Sequence, residues 1–282
     1  FKVNPYTEDC RSQGWKCIGV SAIGSNHIIR QEPCQDAYAT RRLPDGTLLI
    51  AMADGAGSAE YSADGAHTAV QAAVDHLEAL LTRTVPVDER RWEQMMIRLF
   101  QEAQLAVSDA AFRAQRPLRE YATTLLVVVA SDEWIVSGMV GDGALVVVDS
   151  SDALRCLTTP QRGEYANATY FITGRTMLGH LAVNVSREQI KGLAVLTDGL
   201  LNLSVSDFDN EPFRVFFEPL LKFLDASTDE QRATDSLARF LTSDRVNRRT
   251  HDDKSLVLAL RNQKAEITEV SICDSKPVQV AG

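Results

Sequence analysis

Two apolar runs in the chain end in the same dipeptide. Leu48-Leu49-Ile50-Ala51-Met52-Ala53 leads into Asp54-Gly55-Ala56-Gly57, and Leu193-Ala194-Val195-Leu196-Thr197 leads into Asp198-Gly199. A strand of this kind delivers its Asp at an edge of the core, while the Gly permits a tight turn or leaves a carbonyl approachable. Further acidic groups stand at comparable places: Gln35-Asp36, Val140-Gly141-Asp142-Gly143, and His251-Asp252-Asp253-Lys254 just ahead of Ser255-Leu256-Val257-Leu258. Brought together, such carboxylates repel one another and lose hydration, so a convergent cluster needs protons, basic groups or divalent cations. An oxygen-rich set suits magnesium or manganese, and the sparse Cys and His residues offer no zinc set. The competing reading is plain turn chemistry. Five Asp-Gly pairs occur, at 45, 54, 64, 142 and 198, and this dipeptide by itself mostly marks turns.

The elements that would position these groups follow from periodicity. Cys17 to Ile23 reads as an early strand, and Ala37 to Arg42 with Leu48 to Ala53 flank the turn signal Pro44-Asp45-Gly46 as a hairpin. Ala66, Ala69, Val70, Ala73, Val74, Leu77 and Leu80 then repeat at the spacing of an apolar helical stripe, within a helix placed between Ala59 and Leu81. A second helix is predicted from about Asp88 to Ala114, carried by Trp92, Met95, Met96, Leu99, Phe100, Ala103 and Val107 and capped by Asp88. Thr124 to Ala130, Trp134 to Val140 and Ala144 to Val148 read as successive antiparallel strands. Residues 160 to 176 form an irregular excursion, a substrate-facing flap or a surface loop, before strands at Leu181 to Val185 and Leu193 to Thr197. Helices over 211 to 226 and 230 to 243 precede a terminal hairpin, Ser255 to Leu260 with Ala265 to Val270. This order fits an α+β sandwich of sheets with helices outside better than a Rossmann domain, which needs regular strand-helix alternation. With no internal repeat or linker, residues 1–282 read as one domain.

The bulk numbers narrow the partners. A formal charge of -9 and 7% aromatic residues oppose a broad nucleic-acid surface, so any anionic ligand must be held by local cations. The apolar run Leu125 to Ala130 is far too short to span a bilayer, and Phe1-Lys2-Val3-Asn4-Pro5 lacks the apolar region of a signal peptide, which makes a cytoplasmic setting without membrane contact the expectation. The cysteines at 10, 17, 34, 156 and 273 include no CxxC pair, and their odd number favours reduced thiols. Ser58 and Ser62 lack a nucleophile-elbow context, and Gly55-Ala56-Gly57 is neither a dinucleotide fingerprint nor a P-loop.

Taken in order, Gln35-Asp36, Ala53-Asp54-Gly55-Ala56-Gly57, Val140-Gly141-Asp142-Gly143, Leu196-Thr197-Asp198-Gly199 and Asp252-Asp253-Lys254-Ser255 resemble the motifs of the PP2C-type metal-dependent protein phosphatases, in particular their divergent bacterial branch. Five ordered pieces span nearly the whole chain. The resemblance implies a PP2C-like β-sandwich flanked by α-helices on both sides, holding two Mn2+ or Mg2+ ions whose bridging water or hydroxide attacks phosphoserine or phosphothreonine. It implies that Asp54 bridges the metals, that the Gly55 carbonyl faces one of them, that Asp198 and Asp252 complete the other side, and that Asp36 stands near the second ion. Asp142 matches a position for a weaker third metal, with a strand turn as the alternative.

Three residues depart from the pattern or extend it. Gln35 replaces the usual Glu, so its amide oxygen accepts a hydrogen bond without adding charge, and the second metal is expected to bind less tightly. Ala56 replaces the His that protonates the leaving alcohol. His27 is then a substitute donor or a loop-stabilising residue. The family holds phosphate with an Arg before the first acidic motif, which points to Arg30 as a phosphate ligand or a solvated surface Arg. Arg175 is a further substrate-contact candidate. The implied partners are a phosphorylated protein and a cognate serine/threonine kinase. The alternatives are a degenerate phosphatase-like module that binds a phosphoprotein or kinase, supported by Gln35 and Ala56, and a small-molecule phosphomonoesterase.

Overall fold

The computed structural model describes residues 14–161, 169–206 and 208–262. Among these residues the strands form two five-stranded antiparallel sheets. One sheet holds β1 (Trp15–Ala22), β10 (Lys254–Arg261), β9 (Gly192–Leu196), β6 (Ala144–Val148) and β7 (Leu154–Cys156), in that order. The other holds β2 (Asp36–Arg42), β3 (Leu48–Asp54), β4 (Leu125–Ala130), β5 (Ile135–Val140) and β8 (Ala182–Ser186). Helices α2 (Ser62–Leu81) and α3 (Glu89–Arg113) cover the second sheet, and α6 (Arg214–Ala226) and α7 (Glu230–Leu241) cover the first. Short helices α1 (Ser25–Arg30), α4 (Met177–His180), α5 (Leu201–Ser204) and α8 (Asp244–Asn247) fill connections. The expected α+β sandwich with helices on both outer faces is what forms.

Strand periodicity explains the layers. In β3, Leu48, Ile50 and Met52 enter the core between the sheets, whereas Leu49, Ala51 and Ala53 face the α2–α3 layer. In β10, Val257 and Ala259 face the inner core, and Leu256 and Leu258 face α6 and α7. Successive side chains point to opposite faces. Both faces are covered here, so the strands read as continuous apolar runs rather than alternating ones. The predicted stripes on α2 and α3 are buried except at two positions, since Leu81 rather than Leu80 closes the α2 stripe and Met95 is only half-buried, and the Asp88 carboxylate caps α3 by accepting from the Arg91 amide at 2.9 Å.

Several expectations need correction. β4, β5 and β6 are not three successive partners: β4 pairs β5, but β6 leaves for the opposite sheet, between β9 and β7. Gly141, at a φ of +126°, makes the turn that carries the chain across. The three-residue β7 and the one-turn helices escaped the sequence reading because they are too short to show a period. The second strand of the proposed terminal hairpin, 265 to 270, lies outside the described residues. Among the described residues no helix is long and apolar enough to cross a membrane.

Candidate metal centre

One end of the sandwich collects the carboxylates. The β2–β3 register pairs Asp36, at the start of one strand, with Asp54, at the end of the next. Ala144 of β6 and Leu256 of β10 both pair with Leu196 of β9, so the residues just before β6 and β10 meet those just after β9. Asp142, Asp198, Asp252 and Asp253 therefore gather at the end where Asp36 and Asp54 stand. Gly199 is required by this approach: a Cβ there would lie 1.9 Å from the Asp253 carbonyl oxygen.

Asp54, Asp142 and Asp198 form the tightest group, each offering a carboxylate oxygen within 4.8 Å of the others. Asp142 also accepts a 2.6 Å hydrogen bond from the Thr169 hydroxyl. Burial pushes the Asp54 carboxyl well above its ordinary range, and the charges of Asp36 and Asp198 add to this. Burial likewise raises Asp198 to about 6, with Asp142 contributing. Asp36, only 2% exposed, is pushed up to about 8 by burial, against the opposing hydrogen bond from Thr197. These groups are strained as neighbouring anions and would be relieved by cations. A further observation points the same way. The Gln35 amide oxygen is buried without a hydrogen-bond partner and faces the Gly57 position, where an added Cβ would lie 3.9 Å from it. An oxygen-only donor set with an unsatisfied acceptor beside it fits hydrated Mg2+ or Mn2+.

The supports of the cluster include Thr123 and Thr124, which sequence reading did not single out, and Asp253 and Lys254, which entered it only as motif neighbours of Asp252. Thr124 Oγ1 accepts from the Asp54 amide at 2.8 Å, and Thr123 Oγ1 donates to the Asp54 carbonyl at 3.0 Å. Asp253 is buried and accepts from the amides of Gly24 at 2.6 Å and Gln35 at 2.5 Å, which ties the approaches to α1 and β2 onto β10. Lys254 is fully buried, and its ammonium donates to Asn247 Oδ1 and to the Asp252 carbonyl. Burial lowers its pKa while Asp253 and Asp252 oppose that shift. A polar side chain next to a run of strand residues was the signal available for Thr123 and Thr124.

The remaining candidates stand around this core. Asp252 is exposed, and its charge acts on Asp198 although it is not in the tight triad. The Gly55 amide donates to the Gln35 carbonyl at 3.1 Å. His27 is buried, with Nδ1 2.9 Å from Asp253 Oδ1 in an approach that lacks hydrogen-bond alignment, and Nε2 3.7 Å from Glu32. The Arg30 side chain is 60% exposed and lies 3.8 Å from Glu32. Ala56 is buried against Ala59 and Ala122, with Phe171 beside them. Arg175 is exposed at the far side of the excursion.

Comparison with known proteins agrees with this architecture. The chain is 34% identical over 257 residues to serine/threonine-protein phosphatase 3 of Escherichia coli (strain K12), covering 87% of this chain and 98% of that protein. Its fold resembles the catalytic domain of the serine threonine protein phosphatase PstP, solved in complex with two manganese ions, with a TM-score of 0.59 at 16% identity over 88% of this chain and 99% of that one. It also resembles the serine/threonine phosphatase Stp1 from Staphylococcus aureus, with a TM-score of 0.60 at 13% identity over 90% and 99%. The family model described as Protein phosphatase 2C matches residues 23–242, a stretch that holds Asp36, Asp54, Asp142 and Asp198, and the chain belongs to that family.

Proposed function

We propose that the protein hydrolyses phosphoserine and phosphothreonine in proteins at a centre of two Mn2+ or Mg2+ ions. The gathering of mutually repelling aspartates at one sandwich end, Asp36 buried and Asp54, Asp142 and Asp198 half-buried, carries this reading. Asp54 would be shared between the ions, with Asp198 and Asp252 on one side, Asp36 and the Gly55 carbonyl on the other, and Asp142 available to a weaker third ion. When bound, such ions supply an activated water for in-line attack and neutralise charge on the phosphoryl oxygens.

The protein's own groups prepare that chemistry. Thr197 holds Asp36 in place, Thr123 and Thr124 hold the Asp54 backbone, and Gln35 offers an acceptor to coordinated water without adding charge. Exposed Arg30 would meet substrate phosphate. The burial of His27 favours its loop-stabilising role, so the leaving alcohol takes its proton from solvent water. The substrate would be a phosphoprotein made by a serine/threonine kinase, and the setting cytoplasmic.

The test compares phosphoserine, phosphothreonine and phosphotyrosine peptides with a small aryl phosphate, after chelation and again after adding Mn2+ or Mg2+. Metal-restored release from the first two supports the proposal. Full activity in rigorously metal-free protein would sink the mechanism. Tight phosphopeptide binding without turnover would instead establish a binding module.

A further inference from the structure

We propose that Arg245, Arg248 and Arg249 form a recognition surface for acidic residues flanking the phosphorylated residue of a protein substrate. The proposal deepens, and rests on, the phosphatase reading above. The three arginines are exposed and spaced i, i+3 and i+4 through α8 and the turn after it, which puts them on one face. The inner side of the same turn is held: Val246 is buried, and Asn247 Oδ1 accepts from the buried Lys254 ammonium at 3.1 Å. Among the described residues none of the three guanidinium groups is paired with a carboxylate. Arg41, Arg42, Arg155 and Arg214, by contrast, are each tied to an acidic partner.

Position links this surface to the metal centre. Arg249 stands three residues before Asp252, so their Cα atoms are at most about 11 Å apart even with the chain fully extended. The segment is also anchored at that end of the sandwich: the Asn26 amide of α1 donates to the His251 carbonyl at 3.1 Å, and Ser25 Oγ lies 3.0 Å from His251 Nδ1. An extended peptide rises about 3.3 Å per residue, so Arg249 falls within about three or four positions of a phosphoresidue beside Asp252, and Arg245, one helical turn further back, lies over positions beyond it. In a chain of net charge -9 with an acidic centre, three unpaired cations clustered at this end of the sandwich are placed to draw in an acidic segment.

The experiment uses two phosphothreonine peptides that differ only in flanking Glu against flanking Gln, with the full chain in Mn2+. Turnover and fluorescence-anisotropy binding are measured for the native protein and for R245Q/R248Q/R249Q. The Glu peptide is expected to show about tenfold lower KM and Kd at low salt. That advantage should vanish in about 1 M salt, where the screening length falls to about 3 Å, and in the triple variant, with kcat and aryl phosphate hydrolysis unchanged. The proposal is overturned if native protein treats the peptides alike or if the variant keeps the preference. It is also overturned if a single-stranded oligonucleotide, rather than the Glu peptide, shows the arginine-dependent binding. Should neither peptide be hydrolysed, the phosphatase reading fails, while an anisotropy preference lost in the triple variant still supports the surface and its absence still overturns it.

Discussion

The Thr197 hydroxyl donates a 2.7 Å hydrogen bond to Asp36, 161 positions away in the chain, and accepts one of 3.0 Å from the Ser255 amide. One side chain thus joins the ends of β9 and β10 to the first residue of β2 in the facing sheet. Thr197→Val keeps the shape but removes one of the side-chain hydrogen bonds to the buried Asp36 carboxyl, whose bond from Ser255 remains, and takes the acceptor from the Ser255 amide, at a cost of roughly 1–3 kcal/mol. Thr197→Ser retains both bonds. Urea unfolding of the two variants should place Val well below Ser, and equal midpoints would show that this bridge contributes nothing.

Asp54→Asn should separate stability from activity. The amide removes one charge from a half-buried anionic cluster, so the metal-free protein should melt no lower than the native one, while the stabilisation gained from Mn2+ shrinks. Turnover at saturating Mn2+ should fall at least about a hundredfold, because both positioning and water activation depend on the shared carboxylate. Near-native turnover with unchanged metal stoichiometry would remove Asp54 from the centre.

The raised carboxyl pKa values set the pH response of the metal-stripped protein. Asp198 at about 6 and Asp36 at about 8 compare with about 3.9 for an unfolded Asp. Between these values the folded state binds more protons than the unfolded state, so the contribution of these groups to stability declines as pH rises through about 4 to 8. The melting temperature after chelation should accordingly drop from pH 5 to pH 8.5, and Mn2+ should flatten the profile by replacing the protons. A stripped protein whose melting temperature rises across this range would contradict the assignment.

Ala56→His tests the missing proton donor against packing. Ala56 is only 9% exposed and lies against Ala59 and Ala122, so the ring overpacks the site and should cost about 1–3 kcal/mol. In the folded fraction, hydrolysis of a phosphoserine peptide should rise relative to an aryl phosphate, since the alkoxide leaving group needs a proton more. An equal change for both substrates would exclude proton delivery from this position.

Much of this protein was legible in its residues. The apolar runs ending at Asp54 and Leu196, the periodic faces of α2 and α3, and the Asp88 cap are local properties, and each appears where the sequence placed it. Strand ends are local too, so the aspartates were recognisable as edge residues. Which of them meet was not local. Asp142 enters the tight triad, and Asp252 stands outside it, because β6 crosses to the other sheet and takes its register from β9. The buried roles of Thr197, Asp253 and Lys254 likewise exist only once β9 and β10 lie side by side against the β2 end. Sequence by itself determined the elements and the chemical character of their ends. Tertiary structure decided the company those ends keep, since sheet order and register are set by contacts between segments far apart in the chain.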